Sequence, residues 1–155
     1  MGPFEDGEQI ARGLLEASNK PPEENPDYLF LAGLLRRAGE DYGEAISFLG
    51  KALSVPRRRY HRVYMGALAE TYALMGDRDN AIAYYRKALE SERSSSPYMI
   101  QFHYRIGLLY EEKKEFQAAA EAYRRFLHFW KDADADLPIL ADAKERLRAL
   151  VAHSQ

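Results

Sequence analysis

The 155 residues contain no cysteine. That excludes a disulfide framework, a thiol nucleophile and every cysteine-based zinc or iron–sulfur site. It fits a reducing compartment, and the cytoplasm is the expected location. Net charge is only −2, from 22 Lys+Arg against 24 Asp+Glu, so no bulk field draws the chain to nucleic acid or to a membrane surface. The apolar runs are far too short to cross a bilayer. The first residues, Met-Gly-Pro-Phe-Glu-Asp-Gly-Glu, are acidic and lack the basic, apolar and small-residue zones of a signal peptide. Gly2 is followed by Pro3, and position 6 is Asp rather than Ser or Thr, which argues against myristoylation.

Catalytic patterns are missing too. There is no phosphate loop, no dinucleotide fingerprint and no nucleophile elbow. His61, His103, His128 and His153 stand at spacings that form no metal-ligand motif. Asp132, Asp134 and Asp136 alternate with Ala, without the glycine and terminal Glu of a calcium loop. The expectation is a non-catalytic protein with no metal and no cofactor.

What is present is helix. Apolar residues recur at spacings of three and four: Leu31, Leu34 and Leu35; Leu68, Tyr72 and Met75; Phe102, Ile106, Leu109 and Tyr110. Asn25-Pro26 and Ser96-Pro97 each offer a cap followed by a first-turn proline, and Asp136 offers a third cap. Gly39 and Gly76 stand where helices end on a left-handed residue. The pattern predicts eight helices, at about 5–18, 26–38, 42–54, 58–75, 78–92, 97–113, 116–130 and 137–152.

The chain also repeats itself. Small residues Gly33, Ala69 and Gly107 are each followed twelve residues later by Ala45, Ala81 and Ala119. Four further on stand Leu49, Tyr85 and Tyr123, and three beyond them Ala52, Ala88 and Phe126. The copies start 36 and 38 residues apart, the period of stacked helical hairpins. Small residues let the two helices of a hairpin approach closely, and the larger ones fill the space between hairpins.

Leu68–Leu89 resembles a near-complete tetratricopeptide repeat. Ile106-Gly107-Leu108-Leu109-Tyr110 through Ala119, Tyr123 and Leu127 resembles a second, and Gly33 through Tyr42, Ala45, Ile46, Ala52 and Leu53 a third. The third departs from the family at Arg36, where a Tyr is usual. The resemblance implies one all-α domain over 1–155, a right-handed solenoid of three helix-turn-helix repeats (26–57, 58–94 and 97–131) between an N-terminal helix at 5–18 and a capping helix at 137–152. Phe129 through Pro138 resembles the tail of repeat arrays in large bacterial multidomain signalling proteins.

In this family the first helices of the pairs line a concave groove that takes peptides or helices. The resemblance places Asp27, Phe30, Leu34 and Arg37 there, then Val63, Gly66, Glu70 and Ala73, then Gln101, Tyr104, Leu108 and Glu111. The branch that clamps a terminal carboxylate uses Lys, Asn and Arg at such positions; here stand Phe30, Leu34, Gly66, Glu70, Tyr104 and Leu108, which argues against that ligand. The expected partner site is Phe30, Leu34, Arg37, Glu70, Tyr104 and Leu108, taking a peptide or helix through a largely apolar groove. Arg57, Arg58, Arg59 and Arg62 form a basic cluster that reads either as a patch for an acidic segment or as a solvated turn. The sequence leaves open a self-filled groove, a homo-oligomeric assembly module, and a regulatory segment of a larger protein.

Overall fold

The computed structural model describes residues 3–18, 20–56, 60–90, 96–130 and 137–152, with side chains from residue 6 onward. Eight α-helices run through them: α1 Pro3–Ser18, α2 Pro26–Ala38, α3 Tyr42–Ser54, α4 His61–Met75, α5 Arg78–Leu89, α6 Pro97–Glu112, α7 Phe116–Phe129 and α8 Pro138–Ala152. A single 3₁₀ turn, Pro22–Glu24, precedes α2, and the described residues hold no strand. The chain forms two compact units, Met1–Ala88 and Leu89–Gln155. The first holds α1 and the two hairpins α2–α3 and α4–α5; the second holds α6, α7 and α8.

The helix starts follow from side-chain chemistry. Asn25 Oδ1 accepts from the backbone N–H of Asp27 and Tyr28, and Ser96 Oγ accepts from that of Met99. Asn25 also holds α1, because its Nδ2 donates to Leu14 O at 3.3 Å and to Ser18 Oγ at 2.9 Å. Burying an amide is favourable only with such partners, and Asn25 is one of two buried polar side chains among the described residues. The expected Asp136 cap lies outside the described residues. Helix α4 begins at His61 and α5 ends at Leu89, each three residues inside the span that periodicity predicts.

The three hairpin turns are built alike. Asp41 N donates to Arg36 O, Asp77 N to Tyr72 O and Glu115 N to Tyr110 O, at 3.0, 2.9 and 2.9 Å. This is the six-to-one bond of a Schellman turn, which needs one left-handed residue just before its donor. That residue is Glu40 in the first turn, Gly76 in the second and Lys114 in the third, with φ of 61°, 87° and 61°. The sequence pattern puts the left-handed residue of the first turn at Gly39; its φ is −85°, and the left-handed position falls one residue later, on Glu40. The register of the bond decides the place, so the glycine lies beside it without serving it.

Inside each hairpin the close approach is at the small residues. A Cβ on Gly33 would stand 2.7 Å from Leu49 Cγ, and one on Gly107 2.5 Å from the Tyr123 ring. Ala45, Ala81 and Ala119 are fully buried at equivalent places. In the first unit Leu29, Ala52 and Tyr64 form one core cluster, and Leu49, Ala67 and Leu68 form another, with Phe30 packed against both. In the second, Phe102, Ile106, Tyr123, Phe126, Leu140 and Ala143 are buried.

Candidate functional site

In the first unit α2 and α4 lie side by side. Phe30 of α2 sets its ring 5.0 Å from that of Tyr64 on α4, tilted at 38°. One turn on, Leu34 packs half-buried on Leu49, Ala67 and Leu68. A further turn on, Arg37 Nη1 donates to Glu70 Oε2 at 2.7 Å. The structure therefore brings Phe30, Leu34, Arg37 and Glu70 onto one shared face. Both charged side chains are partly buried, and each supplies the other with the partner it needs there. A terminal carboxylate at this face meets an Arg already engaged and a Glu that repels it.

Helix α1 packs on α2 along a different line. Gly7 lies directly against the Leu35 side chain, and Ala11 is buried. Leu35 is the neighbour of Leu34 in sequence and about 100° away from it around the helix. Arg36, the departure from the family pattern, is exposed. At the same register Tyr72 stacks on Tyr84 at 5.5 Å, and Tyr110 is buried.

The first-helix face of the second unit has a different chemistry. Tyr104 packs against the Tyr123 and Phe126 rings at 5.8 and 5.5 Å and donates its hydroxyl to Asp142 Oδ2 at 2.6 Å. Arg146 joins two helices: its Nε donates to the same Asp142 oxygen at 2.6 Å, and its Nη1 to Glu111 Oε2 at 3.2 Å. Tyr123 donates to the other Glu111 oxygen at 2.5 Å. Leu108 sits half-buried in the turn between Tyr104 and Glu111.

These contacts shift the protonation equilibria in consistent directions. Burial, and then donation to Glu111, raise the Tyr123 phenol far above its ordinary range. Burial and donation to Asp142 raise Tyr104 likewise. The bonds from Tyr104 and Arg146 hold the Asp142 carboxyl below the usual range, and Asp142 in turn raises Arg146. Both phenols therefore keep their protons and act as fixed donors.

Asp142 and Arg146 are the residues that sequence reasoning missed. They stand 38 residues after Tyr104 and Leu108, the same step that separates Ala81 from Ala119. That step was the available signal: it gives α8 the register of a first helix. Of the basic cluster, Arg57, Arg58 and Arg59 lie outside the described residues, and Arg62 sits half-buried on α4. Trp130 packs half-buried with its ring 6.3 Å from Phe126. No group of three His, Cys, Asp or Glu side chains among the described residues is placed to hold a metal ion. No described helix is long and apolar enough to cross a membrane.

The geometry of short helical hairpins with small residues at the crossings agrees with comparison to known proteins. The tetratricopeptide repeat family model matches at residues 64–95 and 100–127. The hairpin α2–α3, which carries Arg36, lies outside both matches. Among curated proteins none matches the sequence. Among solved structures, BtubC (BKLC) from P. vanneervenii superposes with a TM-score of 0.72 at 18% identity, over 98% of this chain and 64% of that one. This chain thus spans somewhat under two thirds of the BtubC structure. The Sgt2 TPR domain from Aspergillus fumigatus gives 0.62 at 21% identity, over 83% and 78%. The Arabidopsis OM64 TPR domain gives 0.65 at 17% identity, over 86% and 99%. The fold is that of tetratricopeptide repeat domains.

Proposed function

We propose that this protein is a non-catalytic interaction module that holds a peptide or helix of a protein partner against its first-helix faces. Tetratricopeptide repeat domains generally mediate protein–protein interactions. The observation that supports a site on the first helices is the face of α2 and α4. There Phe30 and Leu34 stay only partly covered by their own core, next to a charge pair that can orient an incoming segment. The first-helix face of the second unit, taken by itself, carries Tyr104, Leu108, Glu111, Asp142 and Arg146. All but Leu108 are hydrogen-bonded side chains held in place before any partner arrives, which lowers the ordering cost of binding.

The direct test is affinity capture with the intact chain, repeated with Leu34→Asp and with Tyr104→Asp. Loss of the same prey in either variant, with helicity unchanged by circular dichroism, supports the site. Retention of that prey by both variants removes it.

A further inference from the structure

With no cysteine in the chain, its sulfur is carried by four methionines, and these differ sharply in surroundings. Met99 is 7% exposed in the α6 core. Met65 is half-buried within α4. Met75, the last residue of α4, is 54% exposed, next to Leu74 at 59%. Met1 lies outside the described residues. Apolar side chains as large as Leu74 and Met75 are unusual at this place in the other hairpins. The same register holds Ala38 and Gly39 in the first and Glu112 and Lys113 in the third. So, among the described residues, the thioether most open to solvent sits in an apolar knuckle that only the second hairpin carries, at the end of the helix that bears Glu70.

We propose that Met75 is a reversible oxidation site, taking one oxygen atom from a peroxide. The sulfur lone pair attacks the terminal peroxide oxygen and the O–O bond breaks. Sulfur is oxidised by two electrons to the sulfoxide, and the peroxide is reduced to water, or to an alcohol where it carries an organic group. Oxidation of Met99 would place a polar S=O group in the core, where a polar group without a partner is costly. Oxidation of Met75 leaves that oxygen in water. It changes the Leu74–Met75 knuckle from apolar to polar while the fold stands. Exposure also makes the sulfoxide accessible to a methionine sulfoxide reductase, which closes the cycle.

The test is a time course of the intact chain in hydrogen peroxide, read by peptide mass spectrometry. Fragmentation separates Met65 from Met75, which share one tryptic peptide, and Met1 is followed on its own peptide. Met75 is expected to gain oxygen about tenfold faster than Met65 or Met99, as exposure sets thioether oxidation. Helicity and thermal midpoint should stay unchanged at the stage where only Met75 is modified, and reductase treatment should restore the original mass. Met75→Leu should remove the fast phase and leave the slow ones. Oxidation of Met65 or Met99 at the same rate as Met75, unfolding at the singly modified stage, or a sulfoxide that the reductase leaves untouched would each overturn the proposal.

Discussion

Arg37 on α2 bonds Glu70 on α4 at 2.7 Å, and in the second unit the order of charge is reversed: Glu111 on α6 accepts from Arg146 on α8. Arg37 and Glu111 share a register, as Ala45 and Ala119 do. One position on the first helix of a pair therefore reaches forward to the next first helix in both units. Such pairs are partly exposed, so each contributes little to stability; Arg37→Ala should cost about 0–1 kcal/mol, as for other surface pairs. A chemical denaturation series on Arg37→Ala, Glu70→Ala and the double variant measures the coupling directly. A coupling well above that range would show that the pair is more deeply desolvated than its exposure indicates.

The small residues at the helix crossings are predicted to be intolerant of one methyl group. Gly107→Ala presses a Cβ into the Tyr123 ring, which is fully buried and bonded to Glu111, and so has nowhere to move. Overpacking of this kind costs about 1–3 kcal/mol. Gly33→Ala meets the equally buried Leu49 and, at 3.3 Å, the Ala45 carbonyl oxygen, and should cost a similar amount. Thermal unfolding of the two variants measures both costs.

The three turns predict opposite effects for exchanges between glycine and other residues. Lys114→Gly and Glu40→Gly relieve a left-handed residue that carries a Cβ. Each should stabilise the chain by about 0.5–1 kcal/mol, the left-handed penalty less the added freedom of the unfolded glycine. Gly76→Ala should destabilise it by about 1 kcal/mol. Denaturant midpoints at matched slope read these differences.

Acid should weaken the second unit in two separate steps. His103 stacks on Phe129 at 5.5 Å, and burial, then the nearby Arg125 charge, hold its pKa below the ordinary 6.5. The folded imidazole therefore resists a proton that the unfolded one accepts. Stability is complete above about pH 6.5 and falls as pH drops toward the folded pKa. Asp142, lowered by Tyr104 and Arg146, adds a contribution that is present at neutral pH and is lost only in acid, as pH falls through its folded pKa below 3.8. A thermal midpoint profile from pH 8 to pH 3 shows both, and His103→Leu should flatten the upper step while leaving the lower one.

Much of the architecture is legible in the chain because its signals act locally. Asn25 and Ser96 cap through their own side chains, proline fixes the first turn, and Gly33 and Gly107 mark the crossings that the structure shows. The left-handed residue of the first turn escaped because bond register, and not glycine content, selects Glu40. The candidate site was only half legible for a similar reason. Phe30, Leu34, Arg37 and Glu70 meet as their spacing implies. At Tyr104 the face is polar, because α8 brings Asp142 and Arg146 beside it. No periodicity within α6 announces what a later helix places next to it.

The proposed role rests on which side of the helix pairs meets the partner. A photoreactive residue at Gln101, exposed on the first-helix α6, should crosslink to the captured partner; the same residue at Ser47, exposed on the second-helix α3, should not. Crosslinking at position 101 alone is the predicted result. Crosslinking at position 47 with none at position 101 would contradict a first-helix site.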